Sequence, residues 1–394
     1  MEPEWQAPLP AVDGITPELL PDKDLVYYND YATLVQQQGM LQDHVRTSLY
    51  QFSMLENKDD FRGKTVLDVG AGTGILSFFA AKAGAKRVYA VEASGMAAKA
   101  EKLAAGNGLS EVVKVINKRV EEVQLDERVD VLISEPLGIA LVNERMLESY
   151  IHARETLLKP GGKMFPDRAT LFAAPFSDEQ LYQEQCTKAN FWAQSNFYGV
   201  DLNPLREDAL QFYLSQPVVG PLMAHTVCSA AVAKRFDFTT DSVESIQRFE
   251  IPLSFAMAGV TQIHGIALWF DCSFPGGAKE VVLSTSPVEP LTHWYQVRCL
   301  LKAPLAVGAG HVLTGVMRFE ANESRGYNVH LTLTNANTGV EHSNTVVTQC
   351  ALHHFQYTTQ QSGAAGGYYG GGAAPQAADP SAVVADGIAS QNLS

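Results

Sequence analysis

Val66-Leu67-Asp68-Val69-Gly70-Ala71-Gly72-Thr73-Gly74-Ile75 runs from an apolar strand through a glycine-rich turn into the start of a helix. Glycines clustered at a strand end let backbone N–H groups come close to a ligand. A dinucleotide fingerprint G-x-G-x-x-G/A needs Gly or Ala at position 75, and this chain has Ile75. The G-x-G-x-G spacing after Asp68 instead fits a nucleoside with no pyrophosphate to seat, S-adenosylmethionine rather than NAD. Glu92 ends the next strand, where a carboxylate can accept both hydroxyls of a ribose. The bland alternative is a tight strand-to-helix turn with no ligand.

Outward from that turn the chain alternates strand and helix. Strands are expected at Lys64–Val69, Arg87–Val91, Val112–Ile116 and Val129–Ser134. Helices are expected at Ile75–Ala83, Ala97–Asn107 and Glu144–Leu157, the last ended by Pro160-Gly161-Gly162. Such alternation implies a parallel sheet covered on both faces. Before it, Val26–Tyr50 reads as helical, with Tyr27, Tyr28 and Tyr31 clustered at its start. The Pro-rich, acidic residues 1–24 read as a flexible lead.

After Phe165-Pro166 the pattern changes. Residues 177–214 read as a mostly helical arm carrying Phe191, Trp192, Phe197 and Tyr198. Short β runs follow at Ile263–Phe270, Val281–Ser284, Tyr295–Leu301, Val312–Phe319 and Val329–Thr334, punctuated by Gly, Pro and Asn. They suggest an antiparallel barrel or sandwich over 166–357. From 358 to 394 the Gly/Ala-rich composition predicts a disordered tail.

The 394 residues are enough for two or three domains of ~150 residues. A hydrophobic share of 46% with mean hydropathy −0.05 describes a globular chain. Net charge −14 argues against free DNA or RNA as ligand, because phosphate binding needs surplus Lys and Arg. It suits basic, Arg- and Lys-rich partners. Five cysteines without a C-x-x-C exclude a disulfide framework or a cysteine zinc site, and no metal is expected. They suggest reduced thiols in cytosol or nucleus. The first residues lack the basic and apolar regions of a signal peptide, and no apolar stretch reaches the ~20 residues of a bilayer span. An intracellular protein without membrane contact is the expectation.

Ser134-Glu135-Pro136-Leu137-Gly138-Ile139-Ala140-Leu141-Val142-Asn143-Glu144 begins at the C-terminal end of the fourth strand, where open α/β sheets bind ligands. Glu135 and Glu144 bracket a Gly-containing loop that could turn both carboxylates toward one point. Guanidinium suits two carboxylates, being planar and always charged with five donors in a fixed fork. In isolation the same residues also suit a helix start, with Asn143 as cap and Glu144 complementing the dipole.

Taken together, the motifs resemble the protein arginine N-methyltransferase family. Glu135 and Glu144 match its double-E loop, and Val66–Ile75 its glycine motif. Tyr27-Tyr28-x-x-Tyr31 is similar to its N-terminal aromatic motif, and Asp43-His44-Val45-Arg46-Thr47 to its D-x-V-R-T segment. Thr292-His293-Trp294 matches its T-H-W loop. The five motifs stand in family order over about 27–357. Glu144-Arg145-Met146-Leu147-Glu148-Ser149-Tyr150 and Glu289–Leu300 place the resemblance within one branch of the family. The loop departs from the family at Leu137 and Ile139, where Met and Tyr are usual.

The resemblance implies a Rossmann-like, S-adenosylmethionine-dependent methyltransferase domain over 25–165, followed by a β-barrel domain over 166–357 with a dimerisation arm at 177–214. It implies a type I enzyme giving monomethyl and asymmetric dimethylarginine on histones, RNA-binding proteins and other Arg-rich chains, in nucleus and cytoplasm. Glu135 and Glu144 would hold the guanidinium, and His293 with Asp43 would relay the proton. Arg46 would pair with the cofactor carboxylate and Gly70 would pack beneath the cofactor. Glu92 would hold the ribose and Glu121 the adenine amine, with Gln37 and Ser149 adding contacts. Tyr28 and Tyr31 would lie over the cofactor. Phe191 and Trp192 would be buried by the second copy of a homodimer. A catalytically weak scaffold for Arg-rich proteins and a small-molecule methyltransferase are the competing readings.

Overall fold

Thr33 and Asp43 divide the N-terminal helical stretch. The Thr33 side chain accepts from the Gln36 N–H and that of Asp43 from the Arg46 N–H, so each caps a new helix. The segment expected as one helical run over Val26–Tyr50 is therefore three helices: α1 (Lys23–Tyr31), α2 (Leu34–Gln42) and α3 (His44–Leu55), followed by α4 (Lys58–Phe61). This computed structural model describes residues 23–349 and 356–357. The Gly/Ala-rich tail expected at 358–394 and most of the expected lead lie outside the described residues. Lys23 and Asp24, assigned to the lead by sequence, belong instead to α1.

The alternating segment is β1 (Thr65–Val69), α5 (Ile75–Lys82), β2 (Arg87–Val91), α6 (Ala97–Gly106), β3 (Val113–Ile116), β4 (Val129–Ser134), α7 (Met146–Leu157) and β5 (Leu158–Phe165). All strand pairs are parallel, in the order β3-β2-β1-β4-β5. The buried run of β1 shows why: Val66, Leu67, Asp68 and Val69 are all within the interior, as expected for a strand covered on both faces. Strand order reverses between β1 and β4, and this opens a crevice at their C-terminal ends. Val69 pairs with both Val91 and Ser134, so the residues following β1, β2 and β4 emerge side by side.

Two expectations fail here. The helix expected from Glu144 starts at Met146, because Glu144 (φ 74°) and Arg145 (φ 58°) are left-handed and cannot join a right-handed helix. Pro160-Gly161-Gly162 does not form a terminating turn but lies inside β5, the sheet's edge strand. An edge tolerates a missing N–H, and the β4–β5 register shifts between Val129 and Val131 to absorb the irregular residues.

Beyond Phe165 the chain continues as β6 (Arg168–Phe176), α8 (Glu179–Lys188), α9 (Arg206–Leu214), β7 (Val218–Gly220), β8 (Val232–Asp237), α10 (Val243–Gln247) and β9 (Arg248–Ala256). It ends with β10 (Thr261–Phe274), β11 (Val281–Ser284), β12 (Gln296–Val307), β13 (Val312–Ala321), β14 (Tyr327–Asn335), β15 (Glu341–Val347) and β16 (Gln356–Tyr357). One sheet runs β16-β7-β12-β10-β6-β8 with β11 on β10, and the other β15-β14-β13-β9. β15 lies against β12 and β9 against β8, which closes the two sheets into a barrel. Strict alternation of buried and exposed residues along β9 fits one face inside that barrel.

The arm consists of α8, short 3₁₀ turns at Ala189–Trp192 and Asn203–Leu205, and α9. Leu181, Tyr182 and Leu214 anchor it on Phe176, Val218 and Leu300 of the barrel. Its outer surface leaves Phe191, Tyr198, Val200 and Phe212 exposed, Tyr198 at 95%. Trp192 is half-buried, with Phe191 edge-on at 5.4 Å between ring centroids.

Candidate functional site

A cavity of about 330 Å³ lies at the switch point, between the C-terminal sheet edge, helices α1–α3 and the barrel. Of the catalytic and cofactor-binding residues expected from sequence, all but Asp43 line it. The turn after β1 is its floor. Gly70 and Gly72 have φ of 71° and 55°. A Cβ on Gly70 would collide with the Met146 side chain, and one on Gly72 would come within 2.7 Å of Gln37 Oε1. These positions need glycine for both conformation and space.

Glu92, directly after β2, accepts from the Gly72 N–H at 2.8 Å and from the Ser94 N–H at 2.7 Å. Each of its oxygens keeps a lone pair for a diol. Gln37 is buried and donates through Nε2 to Tyr31 O at 3.0 Å. At the other end, Ser149 Oγ donates to Glu121 Oε1 at 2.6 Å, which leaves Glu121 with acceptor capacity for an amine. Asp68 sits beneath the floor, takes a hydrogen bond from Ser77 at 2.7 Å, and is pushed up to about 7 by burial.

The two loop glutamates are held differently. Arg46 Nε and Nη2 both reach Glu135 Oε2, at 3.1 and 2.9 Å, and both side chains are at least nine-tenths buried. Sequence had reserved Arg46 for a ligand carboxylate. The structure gives two of its nitrogens to Glu135 and leaves Nη1 buried with no hydrogen-bond partner among the described residues. A buried orphan guanidinium N–H on a residue that lines this cavity suits a carboxylate. Glu135 Oε1 accepts from the Leu137 N–H at 3.1 Å, and Trp294 Nε1 donates to Leu137 O at 2.8 Å, so the loop backbone is fixed on both sides.

Glu144 takes a hydrogen bond from Tyr31 Oη at 2.7 Å. Burial pushes its carboxyl up to about 7; the Tyr31 hydrogen bond and the Arg325 charge oppose this, and the Glu135 charge adds to it. The helix-start alternative fails on geometry. Arg145 occupies the position before α7 with no side-chain cap, and Asn143 is buried against Gly138. Tyr28 lies edge-on to Tyr27, whose ring is 4.8 Å from that of Tyr31, so the aromatic cluster forms one wall.

Asp43 stands behind His293. Its Oδ2 accepts from His293 Nδ1 at 2.7 Å and from the His293 N–H at 2.8 Å. Burial raises the Asp43 carboxyl, but the hydrogen bonds from the His293 ring and from the Arg46 and His293 N–H groups outweigh it and hold it below its usual value. With Nδ1 engaged, the imidazole presents Nε2 as the nitrogen without a hydrogen-bond partner among the described residues. Sequence reading missed Arg325, which lines the cavity from the β13–β14 turn. Nothing in its local sequence marks it.

Residues 66–162 match the family described as "Methyltransferase domain", and 167–338 match "Arginine methyltransferase oligomerization subdomain". A "Probable histone-arginine methyltransferase CARM1" of Oryza sativa subsp. indica is 50% identical over 309 residues, 78% of this chain and 58% of that protein. The "Histone-arginine methyltransferase CARMER" of Drosophila persimilis is 49% identical over 320 residues, 81% of this chain and 60% of that protein. The chain thus spans about 60% of the length of these curated relatives. Their names agree with the branch read from Glu144–Tyr150 and Glu289–Leu300.

Two solved structures are also similar. One is the Trypanosoma brucei PRMT1 enzyme–prozyme heterotetrameric complex with AdoHcy (TM-score 0.74, 32% identity, 81% of this chain and 100% of that one). The other is Arabidopsis thaliana protein arginine methyltransferase 10 (TM-score 0.75, 32% identity, 82% and 99%). Sequence identity and fold agree along almost the whole of both solved chains, and on that ground the chain belongs to the protein arginine methyltransferase family.

Proposed function

We propose that the protein is a type I, S-adenosylmethionine-dependent protein-arginine methyltransferase that forms monomethyl and asymmetric dimethylarginine. The observation that carries this reading is the pair Glu135 and Glu144 lining one cavity with the glycine turn and the orphan Nη1 of Arg46. The donor set fits the cofactor. Arg46 Nη1 would take its carboxylate, Glu92 its ribose and Glu121 with Ser149 its adenine amine; Gln37, Tyr28 and Tyr31 would close over it and Gly70 would leave it room. Bound there, the cofactor supplies a methyl group on a positively charged sulfur.

The chain's own residues do the rest. Glu135 and Glu144 grip the substrate guanidinium in its plane and draw positive charge toward the nitrogens they touch. The remaining nitrogen keeps more of its lone pair and is aimed into the cavity, which is largely a positioning effect. A guanidinium beside Glu144 lowers that carboxyl from about 7, so substrate binding ionises the group that holds it. The proton released on methylation passes toward His293 Nε2, with Asp43 fixing the ring through Nδ1.

The proposal extends to residues 25–165 as the cofactor half and 166–357 as the barrel half. The arm at 177–214 would pair two copies into a homodimer, supported by the oligomerization subdomain match and by exposed Phe191, Tyr198 and Phe212. Histones and other Arg-rich proteins, in nucleus and cytoplasm, are the proposed substrates, in keeping with the names of the relatives and a net charge of −14. The test is labelled methyl transfer to an Arg-rich peptide and to the same peptide with Lys for Arg, with mass spectrometry of the product. Transfer to the Arg peptide alone, ending at asymmetric dimethylarginine, is expected; no transfer, or equal transfer to the Lys peptide, rejects the reading.

A further inference from the structure

The β13–β14 turn reaches from the barrel into the catalytic cavity. Arg325 at that turn, with φ of 53°, is strained into the left-handed region and directs its side chain inward. Its Nε donates to the backbone O of Glu144 at 3.1 Å, and its Nη1 to Asp24 Oδ1 of helix α1 at 2.6 Å. Its guanidinium lies 4.3 Å from the centre of the Tyr27 ring, on the same helix. Next along the loop, Arg145 Nη1 donates to the backbone O of Asn322, at the start of the same turn. Two successive residues of the glutamate loop are thus pinned to one barrel hairpin.

We propose that Arg325 is a positioning residue that locks helix α1 and the Glu144 peptide into one closed arrangement over the cofactor cavity. This rests on the methyltransferase reading above. A single guanidinium serves three partners on two elements that carry opposite sides of the site. Helix α1 supplies Tyr28 and Tyr31 to the cavity wall, and its Asp24 also pairs with Arg119 at 3.0 Å. The loop supplies Glu144. Opening α1 therefore withdraws Tyr31 from Glu144 and Asp24 from Arg325 together, so cofactor enclosure and the set of the glutamate are one event.

The charge of Arg325 also faces the Glu144 carboxylate. The other titratable groups around it are Tyr27 and Tyr31 on α1, Glu135 with its partner Arg46, and His293 across the cavity. Arg325 favours the ionised carboxylate against burial and against Glu135, so its removal moves ionisation of Glu144 to higher pH.

The experiment uses the full chain. Affinity for S-adenosylhomocysteine is measured by calorimetry, and kcat for an Arg-rich peptide is followed against pH at saturating cofactor. Arg325→Ala weakens S-adenosylhomocysteine about tenfold, the scale of one charge-assisted hydrogen bond. Its acid limb moves up by about half a pH unit or more. Asp24→Asn weakens affinity in the same direction and moves the acid limb less. Arg325→Lys keeps the charge but cannot span both partners, so it restores the acid limb more than the affinity. If Arg325→Ala does not fold, the other two variants carry the comparison. Wild-type affinity together with an unmoved acid limb overturns the inference while wild-type methyl transfer stands. A wild-type protein that transfers no methyl group to arginine rejects the functional reading and the inference with it.

Discussion

Tyr31 and Glu144, 113 positions apart, meet in a 2.7 Å hydrogen bond in which the phenol donates to the carboxylate. The contact ties the N-terminal helix to the loop after the fourth strand. It also supplies the stabilising donor for a carboxylate that burial would otherwise neutralise. Tyr31 pays in return: burial, and then the Glu144 charge, push its phenol well above the ordinary range, so it stays a donor at any pH of interest.

Tyr31→Phe keeps the ring and removes the donor. A hydrogen bond to a charged group contributes about 1.5–3 kcal/mol, so kcat should fall roughly ten- to a hundred-fold. The acid limb of the pH profile should rise, since Glu144 then ionises with more difficulty. Steady-state kinetics between pH 6 and 9 (an order-of-magnitude window around neutrality, about where catalytic groups titrate) decide it; an unmoved profile would detach Tyr31 from Glu144 in function.

Glu144→Gln should have opposite effects on activity and on stability. Removing one charge from a desolvated pair costs roughly 3–5 kcal/mol, about two to four decades of kcat, with cofactor affinity nearly unchanged. Between its ordinary 4.5 and about 7, folded Glu144 holds a proton that the unfolded chain has released. Stability is thus lost as pH rises through that window. The amide abolishes this loss, so the ligand-free variant should melt higher than wild type above pH ~8 by up to about 3 kcal/mol, and nearly together with it at pH ~4.5. Calorimetric melts at the two pH values test the sign. A variant that melts lower at the alkaline value, or retains activity within tenfold, would falsify the assignment of Glu144 as a buried acceptor for guanidinium.

The parallel strands were legible because a strand buried on both faces reads as a nearly continuous apolar run, as in Val129–Ser134, where only Asp130 interrupts it before the closing Ser134 and whose bounds the structure reproduces. The fifth strand was hidden by Pro160-Gly161-Gly162, which sequence rules treat as a stop and which an edge with a register shift accommodates. In the barrel, Arg168–Phe176 escaped notice because Ala173, Ala174 and Pro175 are poor strand formers, and Arg248–Ala256 because Pro252 interrupts an otherwise regular alternation. At the site, residue types and motif order disclosed which side chains gather at the cavity. Spacing could not disclose how they pair. The Arg46–Glu135 bridge joins positions 89 apart, and Arg325 reaches Glu144 across 181. Both depend on a barrel and helices folding onto a sheet edge, which no local pattern encodes.

The arm offers a separate test. Phe191 is 52% exposed and Tyr198 95% exposed on a surface that no other part of the described chain covers. Replacing both with Asp places charge where an apolar partner surface would sit and leaves the barrel anchors Leu181, Tyr182 and Leu214 untouched. Wild type should sediment as a dimer, and the double variant as a monomer with reduced turnover. A monomeric variant of full activity would separate assembly from catalysis.

Ile139 is, with Leu137, one of two positions where the loop departs from the family pattern, and both line the cavity. The loop around it is rigid: Ala140 and Leu141 have φ of 49° and 70°, and Leu137 is held through both its N–H and its carbonyl. A tyrosine there could pack along the substrate's alkyl chain and donate one hydrogen bond, whereas Ile139 keeps only the apolar contact. A neutral hydrogen bond contributes about 0.5–1.5 kcal/mol, a few-fold to roughly tenfold in affinity. Ile139→Tyr should therefore lower the KM for an Arg peptide by that factor and change kcat less, because the gain is made before the chemical step. The opposing effect is space. Ile139 packs against buried core residues, and a ring too large for that corner costs ~1–3 kcal/mol in displaced neighbours. Ile139 lines the cavity, so a ring that turns into it meets the substrate side chain rather than the core, and on that geometry the lower KM is expected. Steady-state kinetics on one peptide at saturating cofactor measure the balance. An unchanged or higher KM would mean that the pocket is shaped around Ile139 for a different side-chain approach.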